Sequence, residues 1–338
     1  MIDPQPAPQR PLRDLDLDPD AFRATFGALE RELARVMVGH AELVRMTLTT
    51  LVAGGHALIE GVPGLGKTLL MRTLADVVDG VFSRIQFTPD LMPADILGTT
   101  ILYDVAGGGR SFRFEPGPIF ANLVLADEIN RATPKTQSAL LEAMQERTVT
   151  VGKTTYRLPE PFFVLATQNP IEMEGTFPLP EAQLDRFMFK LAVALPTVDE
   201  LVAIGERTTG GQVPRAARVA DVERIVAMER LARDVPVARE VMAYAARLVR
   251  ATHPSDPAAP QAVREAVRHG ASPRGLQSIV LGAKIQALLA ERHHVARADI
   301  RGMVVPALRH RLVLRFVAQA DGVDPDGVLG AVVREVPE

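Results

Sequence analysis

The 338-residue chain contains no cysteine and no tryptophan. Without thiols it can build neither disulfides nor thiolate metal sites. Lysine is scarce: Lys67, Lys135, Lys153, Lys190 and Lys284 are the only five, and the rest of the 38 basic residues are arginine. Acids outnumber bases slightly, for a formal net charge of −3. No overall basic field therefore favours nucleic acid. No apolar run approaches the ~20 residues that cross a bilayer. The opening Met1-Ile2-Asp3-Pro4-Gln5-Pro6 lacks the basic-then-apolar form of a signal peptide. These absences predict a cytoplasmic chain with no membrane span. With 47% hydrophobic and 23% charged residues the composition is that of a globular protein. The length allows about two domains and a sizeable core.

Residues 1–20, rich in Pro and Asp, read as a flexible tail. Helical periodicity runs from Ala21 to Leu51 through Leu29, Leu33, Val36 and Met37. Short apolar segments then recur with helices between them: Ala57–Glu60, Ser83–Phe87, Leu123–Ala126, Phe162–Thr167 and Met188–Leu191. That alternation predicts an α/β fold, a parallel sheet covered by helices. Two β-hairpins interrupt it, one over 98–114 around Gly107-Gly108-Gly109 and one around Gly152. Beyond about residue 197 the strand signal fades and Ala- and Arg-rich helical patterns dominate, as in Glu240–Ala251 and Leu276–Leu289. The expected division is a core over 21–205 and a helical domain over 206–338, joined near Thr208-Thr209-Gly210-Gly211.

The most informative run is Gly61-Val62-Pro63-Gly64-Leu65-Gly66-Lys67-Thr68. Glycines let backbone N–H groups approach phosphate oxygens that a Cβ would keep away. The helix starting near Lys67, which continues through Leu69, points its positive end at the same anion. Lys67 can reach the β- and γ-phosphates, and the Thr68 hydroxyl can ligate Mg²⁺. A strand before and a helix after are the context that confirms this motif.

Leu123-Val124-Leu125-Ala126-Asp127-Glu128 is an apolar strand ending in two acids, sixty residues after the loop. It can carry Asp127 to the Mg²⁺ water shell, while Glu128 polarises a water for attack on the γ-phosphoryl group. Asn169 ends another apolar strand, and strand carboxyl ends form the ligand crevice of an open parallel sheet. There it could orient water or touch the γ-phosphate; otherwise Asn169-Pro170 only turns the chain. Arg186 lies in Leu184-Asp185-Arg186-Phe187. It suits either an arginine supplied in trans to phosphoryl transfer or a surface ion pair with Asp185 or Glu181. Ser272 and Pro273 read as the cap and first position of a helix. Arg274 at that helix start is disfavoured by the dipole, which favours a nucleotide-sensing role. His293, His294 and His310 have no companions at ligand spacing and read as surface or packing residues.

These residues resemble the AAA+ ATPases, and the stretch from Phe87 to Phe189 is similar to the MoxR family. It carries Phe87-Thr88-Pro89-Asp90-Leu91, Phe114-Glu115-Pro116-Gly117-Pro118-Ile119, Asp127-Glu128-Ile129-Asn130-Arg131, Thr167-Gln168-Asn169-Pro170 and Leu179-Pro180-Glu181-Ala182-Gln183-Leu184-Asp185-Arg186-Phe187. The likeness implies an αβα P-loop nucleotide domain with β-hairpin insertions, a helical lid, and assembly as a hexameric ring. It implies ATP and Mg²⁺ as ligands, with Lys67 and Thr68 as Walker A and Asp127 and Glu128 as Walker B residues. Asn169 would be sensor 1, Arg186 the arginine finger and Arg274 sensor 2, with Arg131 a rival for the finger. It further implies a chaperone that matures or activates a client complex, beside a separate partner bearing a von Willebrand factor A domain. The ATPase subunit of a metal chelatase is the alternative. A nucleic-acid motor is disfavoured by the charge balance, although Arg110 and Arg113 lie in the hairpin.

Overall fold

A computed structural model describes residues 15–61, 64, 66–105, 109–169, 175–193, 195–209 and 215–338. Val62, Pro63 and Leu65 of the glycine-rich loop lie outside them, as do residues 1–14 of the expected tail.

Helix α1 (Pro19–Val36) starts on an Asp18 cap, whose carboxylate accepts from Ala21 N, with Pro19 at its first position. It buries Phe22, Phe26, Leu29 and Leu33 on one face, and Leu17 is buried before it. Each such side chain contributes about 1.5–3 kcal/mol of transfer free energy. The helical periodicity read over 21–51 covers two helices. The chain breaks at Gly39 (φ 70°) and His40 (φ 55°), both left-handed, before α2 (Ala41–Val52) begins. Both helices contribute apolar residues to the same core, α1 from one face and α2 from most of its surface.

Strand β1 (Ala57–Glu60) leads through the glycine-rich loop into α3 (Lys67–Val77), followed by β2 (Phe82–Gln86) and α4 (Pro93–Leu97). Next come the hairpin β3 (Gly98–Val105) and β4 (Gly109–Pro116), then β5 (Leu123–Asp127) and α5 (Pro134–Glu146). The second hairpin, β6 (Thr148–Val151) and β7 (Thr154–Arg157), precedes β8 (Phe163–Gln168), α6 (Glu181–Leu184) and β9 (Phe189–Ala192). Both expected hairpins are present and antiparallel. They brace each other: Phe114 of β4 stacks on Tyr156 of β7 with centroids 4.2 Å apart.

The five central strands form one parallel sheet in the order β2-β5-β8-β1-β9. Their carboxyl ends therefore share one edge, and their amino ends the other. Helices α1, α2 and α3 cover one face together with the C-terminal region. Helices α4 and α5 cover the other, over Leu58, Val124, Val164 and Ala166. Alternate strand residues go to opposite faces, so the central strands β5 and β8, buried on both, read as nearly continuous apolar runs, whereas the edge strands β2 and β9 carry Ser83, Arg84, Gln86 and Lys190.

After α7 (Val198–Thr209) the chain is almost wholly helical: α8 (Val222–Asp234), α9 (Arg239–Arg250), α10 (Gln261–Ala266), α11 (Pro273–Leu289), α12 (Arg297–Leu308), α13 (Phe316–Ala320) and α14 (Pro325–Glu335). A two-stranded ladder joins β10 (Val267–His269) to β11 (Val313–Leu314). The long α11 packs on α12, α9 and α8. No helix among the described residues is long and apolar enough to cross a membrane.

Candidate functional site

The carboxyl edge of the sheet brings together Gly61, Lys67, Thr68, Asp127, Glu128 and Asn169. Gly61 N donates to Gln168 O, which ties the start of the glycine-rich loop to the end of β8 and to Asn169 beside it. Gly64 and Gly66 have φ of 88° and 75°, a region L side chains rarely adopt. Among the described residues nothing lies within 4 Å of where a Gly64 Cβ would stand. Gly66 caps α3 without a side chain, and Lys67 and Thr68 open the helix. The first backbone N–H groups of α3 have no helical acceptors and are directed at the loop. Lys67 Nζ donates to Gly61 O at 3.0 Å. Burial lowers its pKa from the ordinary value, and the charges of Asp127 and Glu128 oppose that fall. Leu69 follows on the same helix and is 43% exposed.

Asp127 and Glu128 leave the end of β5 in different directions. Asp127 Oδ1 accepts from Thr167 Oγ1 at 2.7 Å, and Oδ2 pairs with Arg84 Nη2 at 2.6 Å. Glu128 has a left-handed φ of 56°, a conformation that costs a non-glycine residue on the order of 1 kcal/mol or more. Thr167 Oγ1 accepts from its N–H at 2.9 Å. Gln86 Nε2 donates to Glu128 Oε2 at 2.9 Å, and Arg131 Nε lies 3.1 Å from the same oxygen. Arg131, the rival for an arginine acting in trans, is thus ion-paired with Glu128 of its own chain. A hydroxyl and one carboxylate, Thr68 and Asp127, are hard oxygen donors. Such a set suits Mg²⁺, which takes one or two carboxylates and keeps waters or phosphate oxygens elsewhere.

Near Gly66 opens a cavity of about 460 Å³ lined by Met37, Val38, Ala41 and Val44, and by the charged Glu30, Arg31 and Arg207. Met37 Cε lies 3.3 Å from the place of a Gly66 Cβ. The slot is apolar on its Met37–Val44 side, meets the loop through Met37, and has the size of a ligand pocket.

Arg186 and Arg274 stand elsewhere. They converge with each other at the amino edge of the sheet, where both line one cavity of about 260 Å³ with His56, the residue before β1. From His56 to Gly61 the strand rises about 16 Å. Arg186 Nη1 donates to Leu141 O at 2.8 Å, and Arg274 Nη2 to Gln145 Oε1 at 3.2 Å. Ser272 caps α11 as expected, accepting from Arg274 N. His56 is buried, with Nε2 3.1 Å from Met144 O and Nδ1 accepting from Val164 N. Desolvation pushes its pKa down to about 4, so it is neutral. His310 is also buried and bonds Phe187 O, while His293 and His294 are exposed. Among the described residues no cluster of three or more His, Asp or Glu could hold a metal by itself.

Sequence reasoning did not single out Arg84, Gln86, Thr167 or the Met37–Val44 slot. A hydroxyl at the end of an otherwise apolar strand was the available sign of Thr167. Arg84 and Gln86 needed the pairing of β2 with β5, which sets Gln86 opposite Asp127.

A family model described as the ATPase family associated with various cellular activities (AAA) matches residues 56–189, and one for the AAA lid domain matches 259–331. The chain is 44% identical to a protein named Chaperone MoxR1 of Mycobacterium tuberculosis, covering 94% of this chain and 84% of that one. It is 42% identical to YeaC of Bacillus subtilis, covering 92% of each. It is 31% identical to the protein MoxR of Paracoccus denitrificans, covering 89% of this chain and 92% of the other. A solved structure from Cytophaga hutchinsonii superposes with a TM-score of 0.88 at 37% identity, covering 94% of this chain and 96% of its own.

Proposed function

We propose, from the premise that the chain belongs to the MoxR family of AAA+ ATPases, that it binds Mg·ATP at the carboxyl edge of the sheet and hydrolyses it to remodel a client protein. The observation that carries this reading is the Asp127–Glu128 pair, fixed by Thr167 beside the glycine-rich loop. Backbone N–H groups around Gly64 and Gly66 hold the phosphate oxygens, and Lys67 takes the β- and γ-phosphates. The slot of Met37, Val38 and Val44 takes the base. Thr68 and Asp127 hold Mg²⁺, which when bound neutralises charge on the β- and γ-phosphates. Glu128 accepts a proton from the attacking water, and Asn169 orients that water.

Arg186 and Arg274, about 16 Å of strand away on the opposite edge, serve the phosphates of a neighbouring copy. That placement supports a closed ring, a hexamer on the family's pattern, in which each site is shared. Nucleotide turnover shifts the lid (206–338) against the core (21–205) and moves the two braced hairpins. The hairpin carries exposed Leu102 and Phe112, opposite each other across the strands, as a surface for a client. A separate protein with a von Willebrand factor A domain is the proposed partner. The relatives' names favour the chaperone reading over a chelatase subunit.

The test is Glu128→Gln. It keeps Mg·ATP affinity and loses turnover by roughly 10²–10⁴-fold, the contribution of a positioned general base. Turnover equal to that of the parent would remove Glu128 from the chemistry.

A further inference from the structure

The cavity shared by Arg186 and Arg274 is rich in arginine, although Arg147 and Arg233 pair with Glu229 just behind its wall. Arg147, Arg186, Arg233, Arg274 and Arg311 all line it, and Asp185 is the one acid among the described lining residues. Asp185 is not spent on either arginine assigned to the neighbour's nucleotide. Its carboxylate reaches across to the lid, accepting from Ser272 Oγ at 2.8 and 2.9 Å and from Arg311 Nε at 2.8 Å. Arg311, whose side chain is 2% exposed, also donates to Asp185 O at 3.0 Å, Phe187 O at 2.8 Å and Met188 O at 3.1 Å. The segment carrying Arg186 is thus gripped on both sides of that residue by one buried guanidinium. Ser272 is at the same time the cap of α11, bonded to the N–H of Arg274 itself.

We propose that Asp185 is a positioning residue that clasps core to lid, so that Arg186 and Arg274 are presented to a neighbouring subunit as one rigid pair. The chain of contacts is short: Arg186 is the next residue after Asp185, and Arg274 is bonded to the hydroxyl that Asp185 holds. Helix α5 completes the frame, because Leu141 and Gln145, one turn apart, accept from Arg186 and Arg274 respectively. Gly275 allows the close approach this needs, since a Cβ there would stand 2.6 Å from Leu308 and 3.3 Å from Arg311. Because Ser272 and Arg311 hold the segment from Asp185 to Met188, that segment stays with the lid when the lid turns against the rest of the core, and both cations move together. The two arginines reach or leave the adjacent phosphates as a unit rather than one at a time.

This inference rests on the shared-site reading, and the test separates the two. Asp185→Asn and Ser272→Ala are made in the full chain. Mg·ATP affinity and turnover are measured for each variant alone and after mixing with Lys67→Ala. Arg186→Ala mixed with Lys67→Ala serves as the reference for sharing. Asp185→Asn is expected to bind nucleotide within about threefold of the parent, because its own loop is remote, and to lose turnover by ten- to a hundredfold, the scale of small misplacements. Mixing with Lys67→Ala, whose clasp is intact, should restore part of that turnover. Ser272→Ala keeps the buried ion pair, so it folds, and loses a few-fold in turnover at unchanged affinity. Parental turnover in either variant overturns the clasp. Loss of affinity in Asp185→Asn together with failed rescue, while the Arg186→Ala mixture is rescued, also overturns it. If the Arg186→Ala mixture itself shows no rescue, the shared site falls and the clasp with it.

Discussion

Replacing Thr167 by Val tests how the acid pair is held. Thr167 is 1% exposed, and its hydroxyl makes two contacts: it donates to Asp127 Oδ1 at 2.7 Å and accepts from Glu128 N at 2.9 Å. Valine has nearly the same shape, so no cavity forms, but both contacts are lost. A hydrogen bond to a charged group contributes about 1.5–3 kcal/mol, and a buried N–H left unpaired costs about 1–3 kcal/mol. Better burial of the extra methyl offsets about 1 kcal/mol. The expected net loss is about 2–4 kcal/mol of stability, read as a shift of the urea midpoint. Activity should fall further than stability implies. Glu128 sits at φ 56°, and Thr167 holds the N–H of that strained residue. Relaxed to an ordinary conformation, the carboxylate moves by an ångström or more, which corresponds to roughly a hundredfold in turnover. Thr167→Ser keeps the hydroxyl and should retain most of both properties. A valine variant that unfolds within about 0.5 kcal/mol of the parent and hydrolyses ATP at the parental rate would refute this reasoning.

Acid should destabilise the fold through His56. Its native pKa is about 4 against 6.5 for the free side chain, so between those values the unfolded chain binds more protons and stability falls as pH falls. At about 1.4 kcal/mol per pH unit the loss from pH 7 to pH 5 is about 2 kcal/mol, with His310, shifted the same way by burial, adding to it. Urea midpoints equal at the two pH values would contradict that. Val38→Glu places a carboxylate at the half-buried mouth of the slot beside Gly66. It should weaken ATP binding by about tenfold, or about 1.4 kcal/mol, and unchanged affinity in a titration would exclude the slot as the base site.

Much of the architecture was legible because it is local. Strand β1, the loop and α3 are contiguous, and the loop's glycines and the acids ending β5 announce their chemistry by position alone. Both hairpins were legible for the same reason, since each strand pairs with its sequence neighbour. What was missed depends on distant pairing. Gln86 meets Glu128 only because β2 lies beside β5, and the sheet order 2-5-8-1-9 is not written in any one segment. The break at Gly39 and His40 was not legible because the residues that show the period, Leu29, Leu33, Val36 and Met37, all precede it. The meeting of Arg186 with Arg274 spans 88 positions and passes through α5. Each arginine stood out by its surroundings, but their shared cavity followed only from the fold.

The central claim is that the loop from Gly61 to Thr68, with Asp127 beside it, binds a magnesium–nucleotide complex. Isothermal titration of ATP into the folded chain, with and without Mg²⁺, tests it most directly, with Lys67→Ala as the comparison. The account predicts measurable affinity that strengthens with Mg²⁺ and falls by at least about tenfold in Lys67→Ala, whose charge-assisted bonds to phosphate are lost. Folded protein that takes up no ATP in the presence of Mg²⁺, or a Lys67→Ala variant that binds as well as the parent, would contradict it.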